Sequence, residues 1–314
     1  MNGTETKRPS SFGERESMCE AAFREAGQLW FISMENLEMS IFTSEEDYVA
    51  GLNAIAVNVA RTGAKDFIDV IMSNHCHFII GGDSRIRDGF MDGWRNQVSV
   101  YKRAKGLRTS LKNWPYKSIL IQNLKAARNF AVYVARNGYR AMKDETPTGY
   151  PWGCGDLFFN GRRAFYPEGT PYNSLLKTEK RAICHSRDLT LPDTYKVHRG
   201  MITRESYICL PGIESFFNSG NQYFNMLARS SESDIAISGL TGDAMMIPDD
   251  EMFSNVLIWC RKDFNVARIS ELSPEQRYAL AKRMRFEYHS NNRQIAQILR
   301  LTHDVVDQLF PTRR

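Results

Sequence analysis

Two short apolar runs, Phe67-Ile68-Asp69-Val70-Ile71-Met72 and Cys76-His77-Phe78-Ile79-Ile80-Gly81, are separated only by Ser73-Asn74-His75. Runs of this length divided by a polar turn read as a β-hairpin. Strand side chains alternate faces, so His75 and His77 project together while Cys76 turns the other way. The pair is either half of a metal site on a rigid element or two unrelated histidines on a polar edge strand. Partners elsewhere in the chain decide between the two.

Elements of both kinds flank the hairpin. Leu29 to Ser33 reads as a strand, and Ser44 before Glu45, Glu46 and Asp47 starts a helix whose apolar positions Tyr48, Leu52, Ile55, Ala56 and Val59 run to a stop at Gly63. After the hairpin come a helix over about 85–105, a strand at Lys117-Ser118-Ile119-Leu120-Ile121 and a long helix over 124–142. This order predicts an α+β fold, a ferredoxin-like antiparallel sheet with helices on one face, followed by a mostly helical C-terminal region. The expected divisions are a polar tail at 1–24, a domain at 25–155, a connecting region at 156–265 and a helical segment at 266–314. With 314 residues, 42% of them hydrophobic, there is enough chain for one large or two ordinary domains. No apolar run is long enough to cross a membrane and no secretory signal opens the chain, so the expected compartment is the cytoplasm. Six scattered cysteines without a Cys-x-x-Cys pair read as free, mostly buried thiols.

Charge is segregated along the chain. Between Gly93 and Lys143 lie twelve basic residues and no acidic one, although the whole chain is only +5. A merely solvated surface mixes both signs, so the segment reads as a phosphate-facing one. Its candidate DNA contacts are Arg95, Lys102, Arg103, Lys105, Arg108, Lys112, Lys117, Arg136 and Arg140. Trp94, Tyr101, Trp114, Tyr116, Phe130 and Tyr139 are interleaved with them, either as stacking platforms for unpaired bases or as core.

The last helix of this segment carries Tyr133-Val134-Ala135-Arg136-Asn137, and residues four apart share a helix face, so Tyr133 and Asn137 project together. Here the chain resembles the single-tyrosine HUH endonucleases, and within them the REP-associated tyrosine transposases. The family's MPNHVHLL is similar to Met72-Ser73-Asn74-His75-Cys76-His77-Phe78-Ile79, and its RYKSILV to Pro115-Tyr116-Lys117-Ser118-Ile119-Leu120-Ile121. RYIHLNPVRAGL finds VYVARNGYRAM from Val132, YPWSS finds Tyr150-Pro151-Trp152-Gly153-Cys154, and PIF-x-D-x-E-D resembles Ser40 to Asp47. The likeness runs from about Trp30 to Trp152. Asn137-Gly138 stands where relatives have Asn-Pro, and Ser73 where they have Pro before Asn-His.

The resemblance implies a chemistry. His75, His77 and Asn137 would hold a divalent metal, Mg²⁺ or Mn²⁺, and Tyr133 would attack a DNA phosphate to leave a 5′-phosphotyrosine link and a free 3′-hydroxyl. The expected activity is that of a transposase-like endonuclease and strand transferase on single-stranded or hairpin DNA, working as a monomer or homodimer. Two other readings stay open: a non-catalytic, domesticated nucleic-acid-binding regulator, and a metallohydrolase of a small phosphodiester with Tyr133 only structural. For Asn137 a helix C-cap before Gly138 is the alternative.

Near the C-terminus, Ser273-Pro274-Glu275-Gln276 starts a helix, and Asn292 to Leu299, a turn at Leu301-Thr302 and Val305 to Leu309 read as a helix-turn-helix. Arg293 and Arg300 stand just before the second helix as candidate DNA contacts, while that helix holds Asp304 and Asp307 and no Lys or Arg. A duplex reader and a three-helix packing unit are both consistent with this pattern.

Overall fold

In the computed structural model, residues 12–34, 40–106, 111–141, 148–163, 168–229, 237, 240, 249–288 and 290–311 are described, with side chains undescribed at 139–141, 229, 250 and 251. The chain divides into two units between Ser230 and Ser231.

The first unit is organised by the hairpin. Strands β1 (Leu29–Met34), β2 (Lys65–Ile71), β3 (Cys76–Gly81) and β4 (Tyr116–Leu120) form one sheet in the order β2-β3-β1-β4, every neighbouring pair antiparallel. Helix α1 (Phe12–Glu25) precedes β1, α2 (Glu45–Thr62) joins β1 to β2, α3 (Ser84–Ala104) joins β3 to β4, and α4 (Leu124–Ala141) follows. Local chemistry sets the boundaries. Ser44 caps α2 by accepting from the Asp47 N–H at 3.4 Å, three acids occupy its positive first turn, and Gly63 ends it at φ 70°. Asp83 caps α3 by accepting from the Ile86 N–H at 2.9 Å. Between β2 and β3 the Met72 N–H donates to the His75 carbonyl at 2.8 Å.

Helices cover both faces of the sheet, not one as expected. Phe78 packs edge-on against Phe90 and Trp94 of α3, whereas its neighbour His77 lies against Tyr133 of α4 on the opposite face. Phe31 of β1, on the His77 face, stacks on Phe130 of α4 at 4.4 Å. The reason is visible in β3, which is buried at all six positions and so needs cover on both sides.

The expected polar tail contains α1, anchored by Glu16 accepting both terminal nitrogens of Arg128 at 2.8 and 2.9 Å and by Phe23 edge-on to Phe216. The expected connecting region is likewise part of this unit up to residue 229, because it closes the exposed edge of β2. From this region Ile208 bridges Asp66 and the Cys209 N–H donates to the Asp66 carbonyl, next to the end of the preceding segment, where the Ile71 N–H donates to the Trp152 carbonyl and Val70 bridges Gly153. Within the connecting region lie a small sheet of β5 (Thr170–Pro171), β6 (Lys196–His198) and β7 (Met201–Ile202), and helices α5 (Lys177–Cys184), α6 (Leu210–Ser215) and α7 (Gly220–Arg229).

The second unit is helical: α8 (Asp249–Phe264), α9 (Pro274–Phe286), α10 (Asn292–Leu299) and α11 (His303–Leu309). Met252, Val256, Cys260, Leu280, Met284, Ile295, Leu299 and Val306 are its buried centre. Ser273 caps α9 with Pro274 at its first position, and Asn291 caps α10. Among the described residues no helix is long and apolar enough to cross a membrane. All six cysteines are free thiols, and only Cys209 is part-exposed.

Candidate active site

α4 lies over the sheet face that carries the histidines. His77 belongs to β3 and His75 to the turn just before it, and their ring centroids are 5.1 Å apart. Tyr133 sits edge-on to His77 at 5.4 Å and to Phe31 at 5.8 Å. One helical turn on, Asn137 directs Oδ1 to within 3.5 Å of His75 Nε2. Asn137 lies inside α4, which runs on to Ala141, so it is not a C-cap. The four side chains named from the sequence are therefore brought together by β3, the turn before it and α4, with Tyr133 and His77 almost wholly buried and His75 part-exposed.

The hydrogen bonds at His75 decide what this cluster can do. Nδ1 lies 2.9 Å from Asn74 Oδ1, which can only accept and so favours the proton on Nδ1, and in the neutral ring of that tautomer Nε2 carries the lone pair. Nε2 then faces another acceptor, Asn137 Oδ1. Two ligands about 2.1 Å from one ion at roughly 90–110° stand about 3.0–3.4 Å apart, close to the spacing found, and an outer acceptor fixing the imidazole tautomer is the usual support for a ligating histidine. His75 Nε2 and Asn137 Oδ1 are thus spaced as two donors to one divalent cation could be, with the His77 ring beside them. Among the described residues no cluster of three or more His, Cys, Asp or Glu could hold a metal. Asn74 was not singled out from the sequence, although its place beside His75 was a signal for it.

Segment 150–154 buttresses α4. A Cβ at Gly138 would sit 2.2 Å from ring atoms of Tyr150, whose hydroxyl donates to the Ile71 carbonyl at 2.9 Å. Trp152 stacks on Tyr48 at 4.7 Å. Across the sheet, the register sets Lys117, Ser33, His77 and Val70 in one row on the face beneath α4.

The basic segment separates into three groups. Arg103, Lys105, Lys112, Lys117 and Lys125 are exposed. Arg108 and Lys143 lie outside the described residues, as does the side chain of Arg140. The remainder are engaged internally. Lys102 is buried and meets Asp47 at 2.6 Å, Arg95 meets Asp92 at 2.6 Å and donates to the Trp114 carbonyl, Arg128 holds Glu16, and Arg136 donates to the Leu227 carbonyl on α7. Burial tends to raise the Asp47 carboxyl, but hydrogen bonds from Lys102 and Thr43 bring it down to about 2. Asp92 stands one residue outside the acid-free segment, at helical i,i+3 spacing from Arg95, and was legible; Asp47 and Glu16 were not. Trp94, Tyr101, Trp114 and Phe130 are buried, which makes them core and not stacking platforms.

A second titratable cluster lies on β2. The register shifts between Asp66 and Ile68, which turns Asp66 and Asp69 to the same side. Burial, and then the charge of Asp69, lifts the Asp66 carboxyl well above its ordinary value.

No protein-family model matches the chain, and no curated protein matches it. Among solved structures it is similar to a REP-associated tyrosine transposase bound to a REP hairpin, at 17% identity and a TM-score of 0.34, over 52% of this chain and 88% of that one.

Proposed function

We propose that this protein is a DNA endonuclease and strand transferase acting on single-stranded or hairpin DNA, with Tyr133 as nucleophile and His75, His77 and Asn137 as the ligands of a divalent cation. The observation that carries the reading is the convergence of two acceptors, His75 Nε2 and Asn137 Oδ1, one helical turn from a tyrosine on the same helix face. Such a cation, when bound, polarises the scissile phosphate. Tyr133 Oη gives up its proton and forms a bond to phosphorus as the P–O3′ bond breaks, and the departing oxygen takes up a proton to become a 3′-hydroxyl. Asn74 holds the His75 ring in the ligating tautomer, and Phe31 holds the Tyr133 ring against His77. Attack of a 3′-hydroxyl on the phosphotyrosine reverses the step and rejoins DNA without an external energy source.

The near-complete burial of Tyr133 favours a second reading, a non-catalytic nucleic-acid binder that uses the exposed cations alone. One assay separates them: labelled hairpin DNA is incubated with the protein and Mn²⁺ or EDTA, then resolved under denaturing conditions. A Mn²⁺-dependent covalent adduct that disappears in Tyr133→Phe is expected. Salt-sensitive binding with no adduct supports the binder, and cleavage that survives Tyr133→Phe points to water as nucleophile.

A further inference from the structure

We infer that the second unit is a separate reader of double-stranded DNA, with α11 set to enter a major groove and Arg293 and Arg300 set to grip phosphates on either side of α10. The inference concerns a surface outside the site of strand cleavage and does not require that cleavage occurs.

The core of the unit fixes which faces are outward. On α10, Gln294, Ile295, Ala296, Ile298 and Leu299 are buried, leaving Arg293, Gln297 and Arg300 exposed at i, i+4 and i+7. Seven residues span about 10 Å of helix, so two guanidiniums bracket one polar face. Among the described residues neither guanidinium has a partner within the protein. Three of the unit's other arginines are engaged: Arg277 donates to the Leu299 carbonyl, Arg283 meets Asp263 and Glu287, and Arg285 donates to the Ser290 carbonyl. Arg293 and Arg300 are left for an anion, and Arg261 to Arg300 holds nine basic residues against four acidic ones.

Arg300 has a second peculiarity. It ends α10 in the left-handed region, φ 54° and ψ 45°, with its N–H donating to the Ala296 carbonyl. Glycine is the residue that takes this backbone without strain, and it is common in the turn of such motifs. The turn leads directly into α11, where only Val306 is fully buried within the helix, and its first turn presents His303 and Asp304, with Gln308 one turn on. These are groups that read base edges, the acid included, since a carboxylate accepts from the cytosine amino group. Asp307 is turned aside, accepting from Asn292 Nδ2 at 2.6 Å. The first residues of a recognition helix are the ones that meet bases, with cations from the preceding helix and turn on the backbone.

The test uses the full chain and blunt duplexes without hairpin or single-stranded ends, so failure of the cleavage reading leaves it untouched. Selection from a random 20-base-pair library is expected to enrich a defined sequence. Arg293→Ala and Arg300→Gly should each weaken binding to that duplex several-fold and reduce the slope of log K against log salt by about 0.9, the value for one phosphate contact. Arg300→Gly should at the same time raise Tm, whereas a purely structural arginine would move affinity and stability together or move neither. Gln308→Ala should relax preference at one base position with the salt slope unchanged. Failure to enrich any sequence, or wild-type duplex affinity in both arginine variants, overturns the inference.

Discussion

Asp66, set against Asp69, couples the stability of the first unit to pH. Its carboxyl is raised by burial and by Asp69, so the folded chain binds the carboxyl proton more tightly than the unfolded one. The stabilisation is complete below the unfolded value near 4 and is lost as pH rises through the raised folded value. Asp66→Asn keeps the shape and removes the ionisation. It should therefore raise Tm at pH 8 over the parent protein, with the difference disappearing near pH 4. Thermal melts at both pH values check this, and equal gains at both would remove the linkage. Nothing local announces such a pair: in an unbroken strand residues 66 and 69 face opposite ways, and only the register shift turns them together. The residues of the candidate site were different in kind. Period two along β3 and period four along α4 are properties of sequence spacing, and the structure sets His75 Nε2 and Asn137 Oδ1 3.5 Å apart.

At the scale of elements, the position of α4 depends on a glycine. Gly138 lets the Tyr150 ring lie against the helix backbone. Gly138→Ala places a methyl where ring atoms stand 2.2 Å away, so α4 must lift or Tyr150 must leave its bond to Ile71. A loss of about 1–3 kcal/mol in unfolding free energy is expected for such overpacking. Because Tyr133 and Asn137 ride on the same helix, covalent adduct formation should fall by more than the unfolded fraction accounts for. Denaturant titration beside single-turnover adduct formation checks the pair of effects. Strand and helix periods were readable here: α3 was expected over 85–105 and runs from Ser84 to Ala104. Helix α1 was missed because it is polar along most of its length and is held by Arg128 and Phe216, far off in sequence. The second covered face of the sheet had a signal, the unbroken apolar run of β3, which alternation alone does not produce.

Charge illustrates the whole-molecule scale, where linear segregation and spatial segregation part company. The sequence shows twelve cations without an acid, but folding brings Asp47 to Lys102, Asp92 to Arg95 and Glu16 to Arg128, while Arg136 turns to a helix carbonyl. Those four are committed to the fold, and removing Asp47 would leave a buried ammonium unpaired, the costly half of a buried ion pair. Five described cations stay exposed, and three more lie outside the described residues or have undescribed side chains. Single-stranded DNA gives a slope of about −0.7 for each phosphate neutralised, so binding of a short single strand should show a log K against log salt slope between about −3.5 and −5.6. Neutralisation by all twelve would give about −8. Titration of a short oligonucleotide between 50 and 300 mM salt distinguishes the two, and a slope near −8 would mean that DNA displaces the internal acids from their partners.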